Sequence, residues 1–519
     1  MSDERYILVH DLGTTGDKAV LFNSSGDVKA REYTRYETYY PQPLWFEQKP
    51  EEWWQAVAFS TKKILKREDI NPENIVAVSL VGQQIGAIPV DRNGNVLREN
   101  TLIWADSRSV EQARKLVKKI GGYETFYRIH GLGHTIETLS ICKVMWLMEN
   151  EPEIYKETYK FLQAKDFILL RLTDNQVFVS DYTDASNTGW LDIEKRKYSD
   201  ELIETAEIDA EKLPELYESR EIVGYVGSNA SKMTGLKQGT PIVLGAGDVP
   251  ASCAGAAIEV DGKPFMYLGS ANWGGARTSR PHLKANLRLN NVIHPWNGYV
   301  VFSTTTSGSV SLDWAIKVFY ELEEAEAKSK NANIYDIINS RIEMISPGSN
   351  GVLFLPYLRG GGGPHWDPNS RGTFLGLTLA TSKAELVRAV MEGVSLNFRW
   401  LIEQFELAGI KMFEWGAINS TGGGVLNRQW TSIYADVLGM KVNVLKMPQE
   451  VTAMGSFLVA ATAMGFYDDF EKAKNNVVKV DVSINPNETK KKVYDRLYAI
   501  FKEAYKNTAQ FYNSYKLEA

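Results

Sequence analysis

At 519 residues the chain is too long for one ordinary hydrophobic core, which predicts two large domains. Apolar residues make up 44% and charged residues 24%, the balance of a soluble globular protein, and the net charge of −6 leaves no basic footprint for nucleic acid or an anionic membrane. Two cysteines far apart in sequence, Cys142 and Cys253, exclude a cysteine zinc cluster and suit a reducing, cytoplasmic compartment, in keeping with a start at Met1–Arg5 that offers no signal peptide and the lack of any apolar run near the roughly 18 residues of a membrane span.

The elements follow in chain order. Tyr6–Val9 and Lys18–Phe22 read as strands around the turn His10-Asp11-Leu12-Gly13-Thr14-Thr15-Gly16, with a third short strand before residue 33. Pro50-Glu51-Glu52 opens a helix, since proline suits the first turn and acids its positive end. Ile75–Val81 is an apolar strand ending in Gly82-Gln83-Gln84, and helical periodicity follows around 109–120, 139–149 and 200–206. Thr240–Leu244 is another buried strand, running into Gly245-Ala246-Gly247-Asp248. Phe265–Leu268, Gly269-Ser270-Ala271-Asn272 and Trp273–Ala276 repeat the first hairpin. The segment 321–330 reads as a charged helix face, Trp415–Ile418 as a strand, Asn427–Leu438 as a helix, and about 488–516 as a charged C-terminal helix. The boundary between the two halves falls near 245–262, giving an N-terminal lobe of 1–247 and a C-terminal lobe of 248–519.

The repeated turn is the first functional signal. Glycine and small hydroxyl residues let backbone N–H groups approach a phosphate, because glycine has no Cβ to hold the ligand away. One such turn in each half suggests two like-folded lobes gripping a single polyphosphate from opposite sides. The plainer reading of either turn alone is an ordinary hairpin.

Asp248 is the second signal. A carboxylate just past the C-terminal end of a buried strand points into the crevice where α/β sheets bind ligands. The plainer reading is a helix cap, supported by Pro250 two residues on; a capping carboxylate can still accept a proton. Asp11 poses the same choice between an Asx bond bracing its turn and a role in holding hydrated Mg²⁺, which takes oxygen ligands and keeps most of its waters. Thr421-Gly422-Gly423-Gly424, between a strand and a helix, would admit a flat ligand or a phosphate, or merely make a tight connection. Neither GxGxxG nor GxxxxGK[ST] occurs, which disfavours a Rossmann site and excludes a P-loop. Arg359-Gly360-Gly361-Gly362-Gly363-Pro364 reads as a flexible surface or cleft loop.

Taken together, these segments resemble the FGGY family of carbohydrate kinases, and within it the xylulokinases, over nearly the whole chain. Asp11-Leu12-Gly13-Thr14-Thr15 matches the family's first phosphate motif. Trp45-Phe46-Glu47-Gln48-Lys49-Pro50-Glu51-Glu52-Trp53-Trp54 resembles its G-W-x-E-Q-D-P-x-x-W-W block, with Leu44 where glycine is usual. Ile103-Trp104-Ala105-Asp106-Ser107-Arg108 resembles the W-x-D-x-R sugar segment. Lys143–Leu147 and Gly372–Leu377, running on to Glu392, resemble the two segments by which the family is recognised; Glu450–Ser456 resembles its late E-x-x-A-x-G-A turn.

The resemblance implies an α/β fold of the two-lobed, duplicated actin/hexokinase-like (ribonuclease H-like) class, with a cleft between lobes. It implies an enzyme that uses ATP and Mg²⁺ on a small sugar, with room for a homodimer. Asp248 would take the proton of the sugar hydroxyl and Asp11 would orient Mg²⁺. Gly13, Thr14, Thr15, Gly269 and Ser270 would meet the phosphates, and Gly423, Gly424 and Asn427 the adenosine. Gln83, Gln84, Trp104, Asp106 and Arg108 would line the sugar pocket. For Trp104 the plainer reading is a half-buried core ring, and for Asp106 and Arg108 a surface pair worth under about 1 kcal/mol.

One departure bears on the substrate. Xylulokinases usually read G-Q-x-H-G at the sugar site, whereas this chain has Gly82-Gln83-Gln84-Ile85-Gly86. Losing a hydrogen-bonding group blunts discrimination among hydroxyls, so another ketopentose, a tetritol or a related polyol stands beside D-xylulose. Glycerol kinases place Arg-Glu here, which disfavours glycerol. A non-catalytic sugar or nucleotide sensor would be expected to lose the carboxylate of Asp248, and this chain retains it.

Overall fold

The computed structural model describes residues 5–67, 70–133, 135–258 and 261–514. The chain forms two compact units, one made of Met1–Ala257, Arg277–Val301 and Glu450–Lys479, the other of Ile258–Ala276, Phe302–Gln449 and Val480–Ala519.

In the first unit, β1 (Tyr6–Leu12), β2 (Gly16–Asn23) and β3 (Val28–Arg35) form an antiparallel meander. Helix α1 (Pro50–Leu65) follows, then β4 (Ile75–Gly82), helix α2 (Ala164–Leu172), β5 (Ile222–Tyr225), β6 (Pro241–Gly247) and helix α3 (Asp248–Gly255). The six strands run in the order β5-β6-β4-β1-β2-β3. β4 lies parallel to both β1 and β6.

Side chains alternate across this sheet, as a pleat requires. Leu8, Leu21, Leu80 and Leu244 pack with Trp53 and Val57 of α1 and Phe167 of α2. Ile7, Val9 and Phe22 are buried as well, and the Phe22 ring lies 4.8 Å from that of Phe457 on helix Val451–Ala463. Burial on both faces explains why these strands read as continuous apolar runs. The same helix presses against α3 through two glycines: a Cβ on Gly455 would run into the Ala251 carbonyl, and one on Gly255 into that of Val451. The late glycine of the Glu450–Ser456 motif is therefore a packing requirement.

The second unit repeats the theme. β7 (Pro264–Leu268) pairs antiparallel with β8 (Asn272–Thr278) and parallel with β9 (Ala417–Thr421). β10 (Lys441–Leu445) continues parallel to β9, and β11 (Val480–Ile484) returns antiparallel. The helices that matter for the site are α4 (Ser309–Phe319), α5 (Lys383–Ala408) and α6 (Arg428–Leu438). α5 opens with a capping box between Ser382 and Glu385 and closes on Gly409 in the left-handed region. Glu392 on α5 is buried, accepting from Gly348 N–H at 3.1 Å, Ser349 Oγ at 2.8 Å, Arg388 Nε at 2.8 Å and Tyr494 O–H at 2.8 Å. It braces the helix from within.

Two expectations are corrected. Asp11 lies inside β1, which continues to Leu12, instead of following it. Gly360–Gly363 is a buried loop, not a flexible surface one: Gly363 N–H donates to Thr304 O at 2.8 Å, and a Cβ on Gly362 would sit 3.0 Å from Thr306 N. The charged helix expected at 321–330 is present as Glu321–Ser329, with Lys330 at its C-cap. The C-terminal helix spans Glu488–Ser514, and residues 515–516 of its expected range lie outside the described residues.

Candidate active site

The register of the first sheet assembles the site. Leu12 of β1 and Gly247 of β6 both pair with Gly82 of β4, one from each side. Asp11, Gln83 and Asp248 therefore gather at the C-terminal ends of three neighbouring parallel strands, where α/β sheets bind ligands.

Asp248 does not cap α3. Gly247 is the N-cap and makes no side-chain cap bond; Asp248 is the first helical residue, its Oδ1 accepting from Val249 N–H at 2.7 Å. Burial pushes its carboxyl up to about 7, with the Asp11 charge adding to the rise and the Val249 N–H opposing it. Burial likewise raises Asp11 to about 6, against the pull of Lys18 and with the push of Asp17. The expected Asx bond at Asp11 is replaced by backbone: Gly13 N–H donates to the carbonyls of Asp11 and Gly16, each at 3.1 Å. A buried carboxyl raised by its surroundings and by a second carboxylate suits a proton acceptor.

Among the described residues no three His, Cys, Asp or Glu side chains converge on a metal cage. Mg²⁺ would need no such cage, being held by one or two carboxylates and otherwise keeping water and phosphate oxygens. Asp11 presents one buried carboxylate at this strand end.

The first turn is Gly13-Thr14-Thr15, with the Tyr36 O–H donating to Gly13 O. Gln48 Nε2 donates to Thr14 O at 2.6 Å, and Gln83 Nε2 to Gln48 Oε1 at 2.8 Å. Trp104 is 46% exposed and donates its indole N–H to Thr14 Oγ1 at 2.9 Å; it is a positioned surface ring, not a core one. Thr15 Oγ1 lies 2.6 Å from the Tyr33 hydroxyl.

Asp106 and Arg108 form no surface pair. Both are buried, with Arg108 Nη2 donating to Asp106 Oδ2 and Glu47 Oε1 at 2.7 Å each, and Arg98 Nη2 donating to Glu47 at 2.8 Å. The Arg108 guanidinium lies 3.6 Å from the Trp45 ring centroid, and its Nη1 is buried without a hydrogen-bond partner. Burial would raise Glu47, but the bonds and charges of Arg98 and Arg108 outweigh it and hold its carboxyl below the usual range.

Gln84 is tied internally, donating to Thr183 O at 3.0 Å and accepting from Asn187 Nδ2 at 3.2 Å. Gln83 retains a buried Oε1 without a partner. Between Gln84 and Gly86, Ile85 sits at φ +65°, a conformation that a β-branched residue adopts only under constraint. The constraint is visible. Lys143 Nζ donates to Ile85 O at 2.8 Å, while the Gln163 amide accepts from Gly86 N–H at 2.8 Å and donates to Gly86 O at 3.0 Å. Burial pushes the Lys143 ammonium down to about 7, against the opposing pull of Asp106.

In the second unit, Gly269, Ser270, Gly423, Gly424 and Asn427 line one cavity of about 640 Å³. The size suits a nucleoside. The turn Gly269-Ser270 is held against the start of α4, whose Ser309 and Gly308 N–H groups donate to Gly269 O and Ser270 O at 2.8 Å each. Gly422 adopts φ +89°, and a Cβ there would lie 2.5 Å from Leu268 O. Asn427 Oδ1 caps α6 through Trp430 N–H at 3.1 Å, leaving its buried Nδ2 without a partner. Sequence reasoning missed other lining residues, among them Tyr335, whose O–H donates to Asp313 Oδ1 at 3.0 Å, and Asn339 on helix Ile334–Ile342. No motif marks that helix; its wall position arises only in the fold.

Residues 6–255 match the N-terminal domain, and residues 269–464 the C-terminal domain, of the FGGY family of carbohydrate kinases. The chain belongs to this family. It is similar to the xylulose kinase of Bacillus subtilis (strain 168), with 28% identity over 509 residues and 97% of both chains covered. It is also similar to the gluconokinase of the same organism, with 29% identity over 503 residues, 96% of this chain and 94% of the relative. The crystal structure of a ligand-bound xylulose kinase from Lactobacillus acidophilus shares the fold, with a TM-score of 0.88, 24% identity, and 98% and 99% of the two chains covered. The protein is thus an ATP-dependent carbohydrate kinase of actin/hexokinase-like fold. No helix among the described residues is long and apolar enough to cross a membrane.

Proposed function

We propose that the protein phosphorylates D-xylulose at its terminal hydroxyl, giving D-xylulose 5-phosphate. The observation that supports the chemistry most directly is the pairing of Leu12 and Gly247 with Gly82, which gathers Asp11 and Asp248 at one sheet edge. Asp248, its carboxyl raised to about 7, takes the proton as the sugar oxygen attacks. Asp11 holds Mg²⁺, which supplies charge neutralisation at the phosphates. Thr14, Thr15 and Ser270, with the N–H groups of Gly13 and Gly269, contact the phosphates. Gly423, Gly424 and Asn427 hold the adenosine. Gln83, through its unpaired Oε1, and Trp104 meet the sugar, with Asp106 and Arg108 forming the buried frame around it and Gln84 fixing the loop. The xylulose kinase relatives support the sugar.

A second reading, D-gluconate, is favoured by the gluconokinase relatives and by the unpartnered Nη1 of Arg108, a donor suited to a carboxylate. ADP release with Mg²⁺-ATP and D-xylulose, D-ribulose, D-gluconate or glycerol decides. The proposal requires D-xylulose to give the highest kcat/KM. Saturation by another compound, with D-xylulose at the sugar-free rate, overturns the substrate; no sugar-dependent ADP with any compound favours a sensor. The same preparation sized by light scattering tests the homodimer.

A further inference from the structure

Behind the sheet edge that carries Asp248 lies a buried cluster that none of the roles above uses. Lys165 Nζ on α2 sits 2.9 Å from Asp166 Oδ1, 2.9 Å from Asp181 Oδ1 and 3.2 Å from Asp184 Oδ2, all fully buried. One ammonium balances only part of three carboxylates, and burial drives Asp184 far above the usual range, with Asp181 and Asp166 adding to the rise against Lys165. Beyond the Lys165 ammonium, neither Asp184 oxygen has a hydrogen-bond partner.

Asp181, by contrast, is saturated. Its Oδ2 accepts from Thr183 N–H at 2.9 Å, Thr183 O–H at 2.6 Å and Ser219 O–H at 2.7 Å. The Thr183 hydroxyl has a single hydrogen, and the charged acceptor at 2.6 Å takes it. Its lone pairs are left for Gly247 N–H, which donates at 2.9 Å. The Thr183 carbonyl accepts from Gln84 Nε2 at 3.0 Å. One residue thus grips both the Ala246–Gly247 peptide, one unit ahead of Asp248, and the sugar loop.

We propose that Thr183, oriented by Asp181 and the Lys165 cluster, is a positioning residue that fixes Asp248 against the sugar hydroxyl. The hydroxyl anchors the Ala246–Gly247 peptide at the junction where the strand ends and the helix carrying Asp248 begins. A base displaced by about 1 Å loses roughly 10²-fold in rate, while binding of either substrate is little affected. The inference rests on Asp248 being the base.

Thr183→Val, Thr183→Ser and Asp248→Asn are compared in the full chain, with kcat and both KM values measured on ATP and whichever of D-xylulose, D-ribulose or D-gluconate saturates the enzyme. Thr183→Val is expected to lower kcat by about ten- to a hundredfold with both KM values within about threefold, and Thr183→Ser to restore kcat to within about threefold of wild type. If Thr183→Val accumulates only as insoluble protein, Thr183→Ala, which deletes the hydroxyl without adding bulk, is read by the same numbers. A hydroxyl-free variant that keeps wild-type kcat while Asp248→Asn is inactive overturns the positioning role alone, as does a serine variant no better than valine. An active Asp248→Asn overturns the base assignment and this inference with it.

Discussion

Asp11 and Asp248 lie one residue from Leu12 and Gly247, the two residues that pair with Gly82 from opposite sides, and the charge of Asp11 helps raise the carboxyl of Asp248 to about 7. A base must be ionised to act, so kcat/KM at saturating Mg²⁺-ATP is expected to climb with pH through about 7 and then level. Stability moves the other way. A carboxyl raised in the folded state stabilises fully below its unfolded value of 3.8, and that contribution is lost as pH rises through about 7. Metal-free Asp248→Asn is therefore expected to melt higher than wild type at pH 8, with the gap closing toward pH 4. A gap independent of pH would contradict the raised carboxyl.

Asp11→Asn keeps the shape of the strand end and removes the charged oxygen proposed to hold Mg²⁺. Activity is expected to fall and to recover in part with excess Mg²⁺, visible as a raised apparent KM for the metal at fixed ATP. A lower melting temperature without metal rescue would make Asp11 a structural brace of the hairpin.

Ile85 at φ +65° occupies a backbone state that histidine tolerates better than a β-branched residue. Ile85→His is expected to leave folding intact and to raise the ratio of kcat/KM for D-xylulose over its best competitor. An unchanged ratio across the same sugar panel would remove Ile85 from substrate selection.

Asn427 both caps α6 and lines the 640 Å³ cavity. Asn427→Ala is expected to cost about 1 kcal/mol of stability by denaturant titration, and also to raise KM for ATP severalfold without changing KM for the sugar. Loss of stability with an unaltered KM for ATP would reduce Asn427 to its cap.

The parts of this molecule legible in sequence are those governed by short range. The β1–β2 hairpin, the strand ending before Asp248 and the α6 helix all follow from local periodicity and turn chemistry. Asp248 was visible because strand, glycine and acid stand next to each other. The local sequence points to Asp248 as the cap because aspartate outranks glycine there, whereas the backbone dihedrals put the cap at Gly247. The frame Glu47–Arg98–Arg108 and the grip of Thr183 on Gly247 join residues tens of positions apart, which no spacing rule connects. Gly360–Gly363 misleads for a related reason: glycines that permit flexibility are the same glycines that permit close packing, and only Thr304 and Thr306 beside them decide which.

The central claim, that Asp248 is the base of a sugar kinase, is tested most directly by kcat of Asp248→Asn at pH 8, alongside its nucleotide affinity by calorimetry. The account predicts a fall in kcat of about 10²–10⁴ with nucleotide affinity preserved. Retention of more than about a tenth of wild-type kcat, a barrier change below about 1.4 kcal/mol, would contradict it.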